Sequence, residues 1–276
     1  MLRNINDMKN FAIGATDGPI GHVKDFYFDD EGWVVRYLVV ETGRWLESRR
    51  VLISPIALGQ PEWATKLLPV SLTREQVRDS PDIDTDKPVS RQHERDYSLY
   101  YGYPPYWRGA GLWGEGTDPG VLQPGLAGFG PAEASCAEGE YAYAQREAAH
   151  YRNDDPHLRS CNAVAGYHLH ATDGEIGHVE SLLVDEKTWA ILYLIVDTSN
   201  WWGGHKVLIA PAWIEDVSWF ERSVSVHLTR QAVRDAPAYD PSVTLDRRHE
   251  MRLYQHYGRP GYWAEVEILE TDIVRV

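Results

Sequence analysis

Two apolar runs dominate the chain: WVVRYLVVET at 33–42 and WAILYLIVDT at 189–198. Both are rich in β-branched and aromatic residues and lie between turn-forming residues, which predicts strands. Upstream of the first run, HVKDFYFDD at 22–30 alternates around an irregular centre, so Val23, Phe26 and Phe28 are expected to face a core. Asp17-Gly18 and Asp173-Gly174 fall between β-prone segments, a pairing that favours a two-residue type I′ hairpin turn. Gly21 and Gly177 follow early in the next strand, where glycine marks a bulge or a close backbone approach. Shorter runs continue the series: RRVLISP at 49–55 and HKVLIAP at 205–211, then LLPVSL at 67–72 and SVSVHL at 223–228. Strands recurring roughly every 8–12 residues with turns between them indicate a small barrel or sandwich.

Helix signals come only after the strands. Thr73 with Gln76 three residues on forms a capping box, and Pro81 lies beyond the end of that helix. In the later segment Thr229 keeps the cap, but Ala232 removes the reciprocal half. A second helix is predicted from about Arg91 to Tyr101, stopped by Gly102 and Pro104. It is short and Tyr-rich, so docking rather than propensity must stabilise it. Tyr106-Trp107 and Tyr262-Trp263 are the expected anchors.

These segments pair off at one spacing. ATDGPIGHV at 15–23 and ATDGEIGHV at 171–179 are 156 residues apart, and so are VLISP and VLIAP. Between 11–107 and 167–263, 37 of 97 aligned positions are identical without a gap, which chance similarity of short strands does not produce. The period is far longer than the roughly 20–50 residues of solenoid repeats, so each copy is expected to be a whole domain. The predicted organisation is a first domain over 1–107, a Gly/Pro/Ala-rich linker over 108–160 and a second domain over 161–276. Within the linker, the Ala/Glu-rich stretch 140–152 is read as a short helix.

Composition narrows the function classes. Against 27 Lys and Arg stand 41 Asp and Glu, a net charge of −14, which disfavours broad nucleic-acid binding. No apolar run approaches the roughly 18–20 residues of a spanning helix, and the opening MLRNINDMKN does not resemble a signal peptide. Cys136 and Cys161 make neither a disulfide framework nor a zinc cluster. A cytoplasmic protein is expected.

The order D-G-x-I-G-x-V, then a hydrophobic strand ending near Glu/Asp-Thr, then V-L-I-x-P, resembles the PRC-barrel family over roughly 11–81 and 167–237. That family takes its name from the cytoplasmic part of the photosynthetic reaction-centre H subunit, and a related barrel occurs in a ribosome maturation factor. The resemblance implies a mainly β fold with short α-helices, as two small PRC-barrel-like β-barrels in tandem. It also implies a non-enzymatic docking or scaffolding role, extending by analogy to a membrane-associated electron-transfer complex. The H subunit carries a membrane-spanning N-terminal helix that has no counterpart in this sequence. In tandem form the chain is more similar to stand-alone bacterial PRC-barrel proteins. No catalytic, cofactor-binding or metal residue is assigned. The expected partner is an unidentified protein; the copies are expected to pack as an internal pseudo-dimer, and homo-oligomers remain open.

Each chemically suggestive residue has a structural reading beside the functional one. His22 and His178 could serve as metal ligands or proton carriers, yet no second ligand stands at a recognised spacing, so strand histidines beside a glycine are favoured. Asp17 and Asp173 could pair with Glu41 and Asp197 as acids, but turn chemistry explains them. His93-Glu94 and His249-Glu250 lack the second His of a zinc-protease motif; a salt bridge to a nearby Arg is expected. Arg74, Arg78 and Asp79, with Arg230, Arg234 and Asp235, are read as local ion pairs. With eleven Trp and sixteen Tyr, aromatic contacts are the better candidates, and Trp45, Trp107, Trp201, Trp202 and Trp263 are the interface candidates. The rivals are a ribosome- or RNA-assembly adaptor with a basic face, and a small-ligand or metal binder at His22/His178.

Overall fold

A computed structural model describes residues 1–81, 89, 91–123, 157–199 and 204–263. Trp201, Trp202, Cys136 and the 140–152 stretch lie outside the described residues. The chain forms two compact units. The first comprises residue 1, 3–163 and 184–191; the second comprises residue 2, 164–183 and 192–276. The boundaries of the units therefore differ from those of the sequence copies: 157–163 and 184–191 belong to the first unit.

Strands β1 (Leu2–Asn4), β2 (Ala12–Ala15), β3 (Gly18–Asp29), β4 (Val34–Thr42), β5 (Arg50–Ile53), β6 (Leu67–Pro69) and β7 (Leu158–Ser160) come first along the chain. In the first unit the sheet runs β5-β4-β3-β2-β6, with β7 on β3. All these pairs are antiparallel except β2 with β6. Backbone contacts of Leu58 with Val70 and of Gly59 with Pro69 draw the β6 end toward the segment after β5, so the sheet curls. β3 carries two register shifts against β4, at Val23/Asp25 and at Tyr27/Phe28. The extra residue is Lys24 on β3 at the first shift and Arg36 on β4 at the second, and Phe26, Tyr27 and Phe28 are consecutive yet all buried, so both faces of this part of β3 are covered. This is the physical content of the irregular centre visible in the sequence.

The DG turn differs from expectation. Ala15 pairs with Gly18, so the turn residues are Thr16 and Asp17, and positive φ occurs only at Gly18, at 143°. A type I′ turn needs positive φ at both central residues, so this is not one. Asp17 acts elsewhere. Its Oδ1 accepts the Arg74 N–H at 2.8 Å, and Asp173 accepts from Arg230 at 2.7 Å. The hairpin thereby satisfies a donor at the start of the following helix.

Gly21 is required by close approach. A Cβ there would lie 2.0 Å from the Glu41 carbonyl oxygen, and one at Gly177 would lie 2.1 Å from that of Asp197. Gly177 also has φ of 151°, which L-residues rarely adopt, whereas Gly21 carries no such strain. Gly21→Ala should lower stability by about 1–3 kcal/mol through overpacking. Gly177→Ala should cost more, because conformational strain adds to the clash. Thermal melts of the two variants test this ordering, and equal shifts would refute it.

Helix α1 (Arg74–Arg78) has the full capping box, with Thr73 and Gln76 exchanging bonds. Helix α2 (Arg91–Tyr101) ends at Gly102, φ 68°, with Tyr103 N–H returning to the Ser98 carbonyl. Tyr97 is buried; its hydroxyl donates to the Leu52 carbonyl at 3.2 Å and accepts from Ser54 N–H at 3.1 Å. This fixes α2 on the end of β5.

The second sheet runs through β8 (His168–Ala171), β9 (Gly174–Asp185), β10 (Ile191–Asp197), β11 (Lys206–Ile209), β12 (Ile214–Ser218) and β13 (Ser223–Val226), in the order β11-β10-β9-β8-β13-β12. β3 and β9 are offset by 156 residues at both ends, as the repeat requires. α3 (Arg230–Arg234) has only the half cap, Thr229 accepting from Ala232 N–H. α4 (Arg247–His256) starts at Asp246, whose side chain accepts from His249 N–H. The mainly β fold with short helices and two small sheets is as expected. Trp33 and Trp189 lie not on strands but in the turns before them, with φ of 52° and 61°. Among the described residues, no helix is long and apolar enough to cross a membrane.

Candidate functional site

The terminal helix of each copy carries a buried glutamate bonded by tyrosine hydroxyls. On α2, Glu94 accepts from the Tyr106 hydroxyl at 2.6 Å and meets His157 Nε2 at 2.5 Å, with its side chain fully buried. On α4, Glu250 accepts from the Tyr193 hydroxyl at 2.8 Å and the Tyr262 hydroxyl at 2.9 Å. Arg247 Nη1 stands 3.1 Å from its other oxygen. The second H-E pair therefore makes the expected ion pair with a neighbouring Arg. A buried carboxylate is tolerated only when donors surround it, and these aromatic hydroxyls supply them. The Tyr193 hydroxyl is correspondingly hard to ionise: burial and the adjacent Tyr254 and Glu250 push its pKa far up.

Around Glu250 the aromatic rings interlock. Tyr254 lies edge-on to Trp213 at 5.1 Å and to Trp263 at 5.0 Å. Arg247 sits over the Trp263 ring at 4.3 Å. Tyr100 Oη donates to the Gln76 carbonyl at 2.8 Å, while His256 Nε2, 156 positions later, meets the Ala232 carbonyl at 2.7 Å. Different side chains thus make the same helix-to-helix contact.

The first unit contains a second buried charge centre, which has no counterpart in the other copy, where position 192 is Leu. Arg36 Nη2 bonds Asp29 at 2.9 Å, with both side chains almost entirely buried. Its Nη1 donates to the Leu112 carbonyl at 2.6 Å. The guanidinium also lies over Tyr106 at 3.7 Å and Trp113 at 4.7 Å. Burial opposes ionisation of Asp29, but the Arg36 charge and N–H groups of Gly32, Arg36 and Glu31 outweigh it, so its pKa is lowered. Trp113 is completely buried and donates Nε1–H to the Thr188 carbonyl at 2.8 Å.

The residues singled out in the sequence have these places. Trp45 is half-buried on its own sheet: Nε1–H donates to the Ile20 carbonyl at 2.6 Å and Arg74 covers its ring. Trp107 is half-buried beside Tyr106, and Trp263 packs in the Tyr254 cluster. His22 is exposed and opposite Glu41 in register; His178 is half-buried and opposite His168. Glu41 pairs with Lys24 at 3.1 Å rather than with Asp17, and Asp197 accepts from Ser199 N–H. Arg78 pairs with Asp79 and Glu75, and Arg234 with Asp235, as local ion pairs. The described residues hold no cluster of three metal-ligating side chains. Burial first, then the nearby Asp25, pushes the Cys161 thiol up, so it is a poor nucleophile.

Sequence reasoning misses Arg36 and the buried role of Glu94. Trp113 and Leu122, which the sequence allows to lie against a domain surface, are both buried, while Leu126 and Phe129 lie outside the described residues. Arg36 is the one charge inside an otherwise apolar run, and an aromatic residue in a Gly-rich stretch is the only signal of a partner for it. No periodicity joins the two.

A PRC-barrel domain lies at residues 3–59, matching the family description of that name. The chain is also similar to an uncharacterized protein of Deinococcus radiodurans, 30% identical over 95 residues. That alignment covers 32% of this chain and 34% of the other protein, so the chain spans about a third of the relative's length. A PRC-barrel domain suggests a general protein-interaction module.

Proposed function

We propose that the protein is a non-enzymatic docking or scaffolding module built from two PRC-barrel-like copies that pack as an internal pseudo-dimer. Among the described residues the most buried acids, Glu94, Glu250 and Asp29, each serve to fix structure. The observation that carries the reading is Phe220, which is 98% exposed at the turn between β12 and β13. The adjacent Trp219 lies 6.1 Å from Tyr167, and β12 pairs with β13 on either side, so the turn that carries the ring is anchored. Phe is among the aromatic residues enriched in protein interfaces, where a buried aromatic anchor in a partner's pocket carries much of the binding energy. By analogy with the reaction-centre H subunit, from which the PRC-barrel family takes its name, the proposed partner belongs to a membrane-associated complex.

The test compares tagged full-length protein with its Phe220→Ser variant in cells of the source organism. The expected result is a specific partner that co-purifies with the parent and falls at least tenfold with the variant, while both melt alike. An identical set of co-purifying proteins would overturn the role of Phe220.

A further inference from the structure

Strand β7 completes the first sheet, although it stands more than 120 residues after β3 in the chain. Leu158 is fully buried, and Leu158, Arg159 and Ser160 pair with Asp29, Phe28 and Tyr27. Side chains read this strand as well. Arg159 Nε bonds Asp30 at 2.7 Å, Ser160 Oγ donates to Asp25 at 2.5 Å, and Asn162 N–H donates to Asp25 at 3.1 Å. The Asp30 N–H also donates to the His157 carbonyl at 3.0 Å.

Residues 158–162 read LRSCN, and 156 positions earlier 2–6 read LRNIN, a likeness just ahead of the longer repeat. Key contacts repeat too. Arg3 Nε bonds Glu186 at 2.5 Å, and Glu186 N–H donates to the Met1 carbonyl at 3.0 Å. Arg3 and Glu186 are the counterparts of Arg159 and Asp30, and all four belong to the first unit. Val35 N–H donates to the Trp189 carbonyl at 2.9 Å, while Ile191 N–H donates to the Trp33 carbonyl at 2.7 Å. The Arg–carboxylate pair and these backbone bonds each have a mirror 156 residues away, with donor and acceptor copies exchanged.

We propose that the β3 edge is a strand-acceptor site for the leading Leu-Arg strand of the other sequence copy, and that the copies trade these strands reciprocally. This is β-augmentation, in which backbone pairing gives affinity and the Asp25 and Asp30 carboxylates give specificity for Arg, Ser and Asn. It goes beyond docking to an outside partner: the covalent connection between the copies is not what holds them together. A chain broken between them stays assembled.

The experiment uses the full-length chain with one protease site placed within residues 130–150. After cutting, the two fragments are expected to co-elute at the size of the intact protein and to separate only in denaturant. Arg159→Glu in the same chain should weaken the association of the cut fragments at least tenfold. Adding Asp30→Arg should restore it. Separation of the fragments on cutting the otherwise unaltered chain overturns the proposal, whether or not the variants fold. So does a failure of Asp30→Arg to rescue when the uncut Arg159→Glu chain melts like the parent.

Discussion

Replacing Arg36 with Ala should destabilise the first unit by about 3–5 kcal/mol, the cost of leaving a buried charge without its partner. Asp29 would keep its place at the end of β3 with an exposure of only 5%, and the Leu112 carbonyl would lose its donor. The effect should depend on pH in a definite sense. Asp29 has a lowered pKa in the folded protein, so its contribution is present above the unfolded value, about 3.9, and is lost as pH falls through the folded value. In the variant a protonated Asp29 needs no counter-charge. The stability gap between parent and variant should therefore narrow from pH 7 to pH 3, leaving the lost stacking and hydrogen bond. Urea unfolding followed by Trp fluorescence at the two pH values measures it, and a gap that widens in acid would contradict the assignment. Comparison with the parent is essential, because Asp25 and Asp30 are raised by burial and act in the opposite sense.

The second large effect is expected at Trp113. Trp113→Ala should cost about 3–5 kcal/mol, since it opens a cavity, strands the Thr188 carbonyl and removes one of the rings over Arg36. Trp107→Ala should cost clearly less, because Trp107 is only half-buried and leaves no enclosed cavity. Melting curves of the two variants decide the matter, and similar shifts would show that the burial of Trp113 is not what matters. The sequence marks Trp107, which recurs as Trp263, as the anchor, and Trp113, whose counterpart position is Leu269, only as a linker residue able to lie against a domain. Repetition marks what the two copies share. Here the heavier burial falls on a residue that only one of them has.

Much of the local structure is legible in the sequence. The capping box at Thr73 and Gln76, the half cap at Thr229 and the helix from Arg91 to Tyr101 are local hydrogen-bond chemistry, and all three form where the residues indicate. Gly21 and Gly177 announce the close approach of a neighbouring strand. The DG turn departs from its local preference because Asp17 accepts from Arg74, 57 residues away, and that contact has no local signature. Glu94 looks like a residue of a helix face, but Tyr106 and His157 enclose it from two distant segments. β7, only three residues long, carries no recognisable strand pattern; its partner is what makes it a strand.

What the chain determined by itself is its doubling, written out as a repeat of 156 residues, together with the places of its strands and the ends of its helices, because alternation, turn residues and caps act over a few residues. Tertiary structure alone decided which charges were buried and paired, which tryptophan became core, and which strand completed the first sheet. Those outcomes depend on desolvation and backbone pairing between segments tens to more than a hundred residues apart, where no local preference reaches.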